Sequence, residues 1–173
     1  MILRGNKVTL TPVQTGDAPL LTRWYGDLYI NRFTTRKKPT LKRVKQKIRE
    51  IQKMKDSYQF MVKTDQGLCI GTASLLRQGP GDQSMVIGLM IGNKDYWSKG
   101  YGSDIIDIIL RFGFGKLKLH RIEADIFEYN FRAIGLCKKF RFKREGIRRE
   151  QIFYGGTWHD VIHFGLLRKE WNQ

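Results

Sequence analysis

The stretch that most restricts this chain is residues 84–115. Ser84–Ile91 (Ser-Met-Val-Ile-Gly-Leu-Met-Ile) reads as a strand. A glycine-bearing turn follows to Gly102, and an apolar run then continues to Phe114. Ile105-Ile106-Asp107-Ile108-Ile109 is β-branched and would pass for a buried strand, but the run is too long, so a helix packed on a sheet is expected. A strand that turns directly into a buried helix implies a layered α/β arrangement. The turn also has chemical content. Gly100 and Gly102 let backbone N–H groups approach a ligand with no Cβ in the way. The helix start adds unpaired N–H groups and the positive end of its dipole. Together they form an anion cradle suited to a pyrophosphate. The spacing is not that of a Walker loop, and Gly113-Phe-Gly115 ends a helix instead of following a strand. Taken alone, such a turn is often no more than a turn.

Around this unit the hydrophobic pattern is that of one mixed α/β domain spanning residues 1–173. Val8–Val13 alternates and reads as an opening strand. Gly16-Asp17-Ala18-Pro19 resembles a helix start with Asp17 as N-cap, burying Leu20, Leu21 and Trp24. An amphipathic helix is expected from about Thr40 to Lys55, with Leu41, Val44, Ile48, Ile51 and Met54 on its apolar face. Tyr58–Lys63 and Leu68–Leu76 join Ser84–Ile91 as a meander punctuated by Gly67 and Gly79-Pro80-Gly81. Leu119–Phe127 alternates as a half-buried strand, and Asn130–Phe140 reads as a short helix. Residues 142–154 and 158–167 form a last strand pair around Gly155-Gly156.

Charge is the unusual bulk property. The chain carries 32 Lys and Arg against 16 acidic residues, a net +16. Ten bases fall between Arg36 and Lys55, with Glu50 the one acid. A second cluster holds Lys138, Lys139, Arg141, Lys143, Arg144, Arg148 and Arg149. Such a surface attracts nucleic acid, acidic protein or a phosphorylated cofactor, and it reads equally as a solvated face with no partner. Cys69 and Cys137 form no CxxC pair, so neither a disulfide framework nor a zinc ribbon is expected. His159 and His163 lack a ligand pattern, and no metal is expected. The start does not read as a signal peptide, and no apolar run approaches a membrane span, so the cytoplasm is the expected compartment.

Ile87-Gly-Leu-Met-Ile-Gly-Asn-Lys-Asp-Tyr-Trp-Ser-Lys-Gly-Tyr-Gly-Ser103 resembles the acetyl-CoA-binding motif of the GNAT superfamily of N-acetyltransferases, most closely the branch of the ribosomal-protein-alanine acetyltransferases. The similarity continues through Leu119-His-Arg-Ile-Glu-Ala, Asn130-Phe-Arg-Ala-Ile, Arg144-Glu-Gly146 and the closing Asp160–Trp171 stretch. It implies a splayed, mostly antiparallel central sheet with helices on both sides. It implies that Leu89, Met90 and Ile91 pair with a pantetheine arm treated as an added strand, the N–H near Met90 polarising the thioester carbonyl. Trp97, Ser98, Lys99, Gly100, Tyr101 and Gly102 would hold the pyrophosphate, with Ser103 nearby, and Asn130 would contact the arm. Acetyl-CoA is the implied acyl donor and a primary amine the acceptor.

The chain departs from the family pattern at four positions. Trp97 opens the loop where Arg or Gln is common, Arg141 replaces a glycine, and Val86 replaces a carboxylate. Cys137 replaces the tyrosine that often protonates the leaving thiolate, which makes it the candidate acid, although a small packed residue is the plainer reading. Trp24, Tyr25, Phe33, Tyr154 and Asp160 lie in segments that could face the acceptor. The resemblance points to protein N-termini, some of them on acidic ribosomal proteins. A small amine or antibiotic acceptor, a catalytically impaired basic module that binds RNA or ribosomes, and a homodimer are the alternatives.

Overall fold

The computed structural model describes residues 1–34, 38–77 and 83–171. Among these, eight strands form one sheet: β1 (Leu3–Arg4), β2 (Val8–Pro12), β3 (Ser57–Thr64), β4 (Cys69–Arg77), β5 (Ser84–Ile91), β6 (Arg121–Phe127), β7 (Lys143–Tyr154) and β8 (Thr157–Leu167). Their order across the sheet is β1-β2-β3-β4-β5-β6-β8-β7. Neighbours run antiparallel throughout, except that β5 and β6 run parallel.

The two-residue period of a strand sorts side chains onto two layers. On β3, Met61 points toward α1 (Ala18–Gly26) and α3 (Leu41–Lys53), among Val13, Leu21, Trp24, Val44 and Ile48. Phe60 and Val62 point the other way, into a larger core with Ile105, Ile109 and Leu110 of α4 (Tyr101–Leu110) and Cys137 of α5 (Phe131–Lys139). Helices therefore cover both faces, as the family resemblance implies.

α3 forms where the periodicity places it. Thr40 caps it by accepting from the Arg43 N–H at 3.2 Å, and Val44, Ile48 and Ile51 fill the inner stripe. Each such buried aliphatic contributes about 1.5–3 kcal/mol. Leu41 and Met54, expected on that stripe, are exposed at its two ends. The β-branched run of α4 is helical because it is enclosed, with seven of its ten residues buried, and packing overrides its strand propensity. The helix then widens into a π-type turn over Arg111–Lys116, where Leu117 N–H donates to the Phe112 carbonyl at 3.0 Å. An added Cβ at Gly113 would stand 2.7 Å from Ile122 Cδ1, so this glycine sets how closely the helix sits on β6.

Several features lie outside what the pattern foretells. β1, the short helix α2 (Leu28–Asn31) and the closing turn α6 (Arg168–Trp171) are too short to show a period. Asp17 does stand at the N-cap of α1, but its carboxylate turns back to the Gln14 N–H at 2.7 Å instead of capping the helix. The expected turn at Gly79-Pro80-Gly81 falls outside the described residues.

Candidate active site

The parallel pairing of β5 with β6 lasts only from Ser84–Val86 to Arg121–Glu123. Both strands then continue, β5 to Ile91 and β6 to Phe127, without pairing to each other. The sheet opens there into a cleft of ≈ 640 Å³, walled by Ile87–Ile91 on one side and Ala124–Phe127 on the other. On its far side β5 stays bonded to β4 through Gly71↔Ile91, Thr72↔Met90 and Ala73↔Leu89. The inner edge of Ile87–Ile91 thus has no strand partner, so Leu89, Met90 and Ile91 present backbone to the cleft.

One end of the cleft is built for an anion. Trp97, Ser98, Gly100, Gly102, Ser103 and Asn130 all line it. Trp97 is fixed by its indole N–H, which donates to the Ile91 carbonyl at 2.8 Å, and it stacks with Tyr29 at 5.7 Å. Ser98 (φ 58°) and Gly100 (φ 85°) are both left-handed, and Gly100 stands at the N-cap of α4, where no side chain caps the helix. The first N–H groups of α4 therefore remain available at the positive end of its dipole. Cations surround this end. Lys7 Nζ donates to the Lys99 carbonyl at 3.0 Å, Lys139 Nζ donates to Ser103 Oγ at 2.9 Å, and the Arg132 guanidinium lies 4.7 Å from the Trp97 ring. The arrangement fits a diphosphate at the helix start and an extended arm along β5.

Two expected loop residues sit differently. Lys99 and Tyr101 do not line the cleft. Tyr101 packs edge-on against Tyr96 at 5.0 Å, and Lys99 contributes its carbonyl to Lys7. Gly102 has a role beyond ligand space, since an added Cβ would lie 3.1 Å from Leu136 Cδ1, so the residue also sets the approach of α4 to α5. Asn130 starts α5, its Oδ1 accepting from the Ala133 N–H at 3.3 Å. The sequence reading missed Lys7, Arg132, Lys139 and Asp104. Arg132 lies within the Asn130-Phe-Arg-Ala-Ile motif and could have been weighed there, whereas nothing in sequence links Lys7 or Asp104 to their partners.

At the other mouth, Tyr25, Ile30, Phe33 and Thr34 of the α1–α2 region line the cleft. Trp24 is a core residue at 4% exposure. Tyr154 and Asp160 do not line the cleft. Tyr154 stacks on Tyr129 at 5.9 Å, and Asp160 accepts from the Glu150 N–H at 2.8 Å.

The acid–base groups are tied down. Val86 stands opposite Glu123, whose Oε1 accepts from Arg121 Nε at 2.6 Å and Ser84 Oγ at 3.1 Å. Asp125, the one carboxylate among the described lining residues, meets His163 Nδ1 at 2.7 Å and Arg148 at 2.6 Å. Burial works to raise its pKa, but the bonds from His163 and Arg148 outweigh this and hold it below the usual carboxylate value. Cys137 also lines the cleft, and burial pushes its thiol up to about 12. His159 is held by Glu128 at 3.0 Å and the Tyr154 carbonyl at 3.2 Å. Among the described residues no three His, Cys, Asp or Glu side chains converge as a metal site, and no helix is long and apolar enough to cross a membrane.

The model of the acetyltransferase (GNAT) domain matches residues 7–143. This chain belongs to the GNAT family. It is 35% identical over 92 residues to the uncharacterized N-acetyltransferase YnaD of Bacillus subtilis, covering 53% of this chain and 54% of that protein. It is 25% identical over 126 residues to the [ribosomal protein uS5]-alanine N-acetyltransferase of Escherichia coli, covering 72% of this chain and 64% of that one. The chain spans about half the length of most of the curated relatives it matches. In fold, it superposes on a GNAT-family acetyltransferase from Bacillus anthracis with TM-score 0.84 and 22% identity, over 98% of this chain and 100% of that one. A spermidine N-acetyltransferase from Vibrio cholerae, solved with CoA and spermine, gives TM-score 0.89 at 20% identity, over 96% of this GNAT chain and 98% of that chain.

Proposed function

We propose that the protein transfers the acetyl group of acetyl-CoA to a primary amine, and that the amine is the α-amino group of an acidic protein. The observation that carries the first half is the parting of β5 from β6 after Val86 and Glu123, which opens a strand edge onto a cleft ending at the uncapped start of α4. Leu89, Met90 and Ile91 would pair with the pantetheine arm. Ser98, Gly100, Gly102 and Ser103 would hold the diphosphate, with Lys139, Arg132 and Lys7 supplying countercharge. Trp97, Lys99 and Tyr101 would shape that loop, and Asn130 would contact the arm. Acetyl-CoA supplies an activated thioester. The amine nitrogen bonds to its carbonyl carbon, the C–S bond breaks, and a proton leaves the nitrogen.

The acceptor reading is supported by where that proton can go. Glu123 and Asp125 are both committed to cations, and Val86 offers no carboxylate. A site without a strong base favours an amine that is already partly neutral. An α-amino group, with a pKa of about 7.7–8.0, is roughly one-tenth neutral at pH 7, whereas a lysine near ~10.4 is neutral about once in a few thousand molecules. A net charge of +16 favours acidic acceptors and disfavours polyamines. Cytoplasmic placement fits both substrates.

The test is an amine panel with release of free CoA as readout. It includes peptides with free and blocked N-termini, each carrying an internal lysine, together with spermidine. Free acidic N-termini should be turned over and blocked ones should not. Equal turnover of blocked lysine peptides would refute the acceptor assignment. If titration with acetyl-CoA gives no thermal stabilisation, the cofactor half falls too.

A further inference from the structure

The solvent face of α3 is a strongly basic feature that the cleft does not explain. Its inner stripe, Val44, Ile48 and Ile51, is buried, and Val44 and Ile48 belong to the core cluster with α1, which fixes the face that α3 turns outward. At 100° per residue, Lys42 and Lys53 point away from that stripe together with Gln46; Arg49 and Glu50 stand to either side of them, Arg43 and Lys45 lie farther round, and Lys47 borders the stripe. Lys42, Arg43, Lys47, Arg49 and Lys53 are exposed. Among the described residues, none of the six bases forms a salt bridge. The one acid of the helix, Glu50, accepts from Gln46 at 2.9 Å. Lys42 and Lys53 stand eleven residue rises apart, or about 16 Å along the axis. A rigid row of unpaired cations is an electrostatic template for a polyanion.

The position of this row narrows its occupant. α3, α1 and α2 share one core cluster, which contains Val44 and Ile48 together with Leu21, Tyr25 and Ile30. Tyr25 and Ile30 also line the acceptor mouth of the cleft. The helix that carries the basic row therefore belongs to the same layer as the mouth proposed for the amine, so a molecule resting on α3 lies on that side of the sheet. RNA has the charge to fill the row but no aliphatic primary amine to deliver. An acidic polypeptide carries both.

Resting on the N-acetyltransferase reading for its choice of occupant, we propose that the outer face of α3 is the docking surface for the acidic acceptor protein, with Lys42, Arg49 and Lys53 as its central contacts. The row sets KM for the acceptor and leaves kcat and the acetyl-CoA site alone. Its contribution depends on salt, because exposed pairs are screened within roughly 8–10 Å at physiological ionic strength.

The test compares the wild type with a Lys42→Gln/Arg49→Gln/Lys53→Gln variant. These sites are exposed, so the fold should survive. Two measurements are made near 50 mM salt. In the first, fluorescence anisotropy follows an acidic peptide with a blocked N-terminus and, separately, a single-stranded RNA of equal charge. In the second, kcat/KM is measured on acidic and neutral peptides with free N-termini. The expected result is at least tenfold weaker binding of the acidic peptide, a matching rise in KM for the acidic acceptor, and unchanged kcat, neutral-peptide turnover and acetyl-CoA affinity. Equal binding of the acidic peptide by both proteins would show that the row is solvated charge only. Tighter binding of RNA than of peptide by the wild type, lost in the variant, would reassign the surface to nucleic acid. If no amine is turned over but the difference in peptide binding persists, the enzymatic reading fails while the docking surface stands.

Discussion

Asp104 is the sharpest point at which to test how this fold holds its cleft. It lies in the first turn of α4, directly behind the loop proposed to hold the diphosphate, and is 8% exposed. Its carboxylate accepts three backbone N–H groups from the chain leading into β2: Asn6 at 2.9 Å, Lys7 at 2.8 Å and Val8 at 3.0 Å. Asp104→Ala leaves all three donors unmatched, with the Val8 N–H buried and the other two half-buried. An unsatisfied buried donor costs about 1–3 kcal/mol, and water can reach the half-buried pair, so the sum is about 3–5 kcal/mol. For a chain of this size each kcal/mol moves Tm by about 2–4 °C, giving a loss of roughly 6–20 °C. Asp104→Asn retains the acceptor shared by Lys7 and Val8 but turns an amide NH2 toward Asn6, and should cost about 1–3 kcal/mol. Thermal unfolding by circular dichroism reads both. Acetyl-CoA affinity should fall with the Ala variant, because Asp104 fixes the backbone of Lys7, whose Nζ in turn bonds the Lys99 carbonyl of the loop. If Asp104→Ala melts within 2 °C of the wild type, or Asn proves worse than Ala, the three-donor account is wrong.

Other outcomes follow from the same geometry. Gly100→Val should abolish acetyl-CoA binding with the far-UV spectrum intact, since φ 85° is closed to a β-branched residue; undiminished calorimetric affinity would make the turn purely structural. Lys139→Gln and Arg132→Gln should each weaken acetyl-CoA several-fold and flatten its salt dependence, whereas an unaltered salt slope would place neither near a phosphate. The Arg121 hydrogen bond holds Glu145 below the usual carboxylate pKa, and the His163 and Arg148 bonds hold Asp125 there against the pull of burial. A lowered folded pKa stabilises above the unfolded value and is lost as pH falls through the folded one. Tm should therefore drop as pH falls below the unfolded values of 4.5 and 3.8, and Arg121→Gln should blunt the Glu145 part of that drop.

The sequence carries the elements of this fold better than its cleft. α3 and β5 are legible because their periods of 3.6 and 2 run long enough to read, and both stand within a few residues of where the pattern places them. The glycine turn is legible because Gly100 does what only glycine does cheaply, adopting φ 85° at a helix start. The splaying of β5 from β6 has no local signal, since it depends on which strands pair after Val86, a contact across 37 residues to Glu123. The three-donor anchor at Asp104 joins residues 96–98 apart and is equally silent in sequence. Trp24 is buried where the helical pattern of α1 places it, and only its second reading, as a residue facing the acceptor, does not hold. An aromatic on an amphipathic helix is compatible with a ligand mouth or a core, and only packing assigns it to the core.

Cys137 is where the sequence comparison and the chemistry of the cleft pull apart. The family resemblance sets it where a tyrosine acid is expected, and its thiol lines the cleft. A thiol near its usual pKa of about 8.5 would be well matched to protonate a departing thiolate of similar basicity. Burial changes that match. With the pKa pushed up to about 12, transfer of its proton to a thiolate of ordinary basicity runs uphill. General acid catalysis contributes roughly 10²–10⁴-fold only when donor and acceptor are matched, so this donor should contribute little. The leaving thiolate is stable enough at neutral pH to depart without it and take a proton from water. Cys137→Ala should then keep kcat within about threefold from pH 6 to 9, with a modest loss of Tm from the vacated packing space. Thiol labelling at pH 8 gives an independent check, because Cys69, less deeply buried, should react well before Cys137. A hundredfold fall in kcat with unchanged acetyl-CoA affinity, rescued by Cys137→Tyr, would refute this and make position 137 the acid after all.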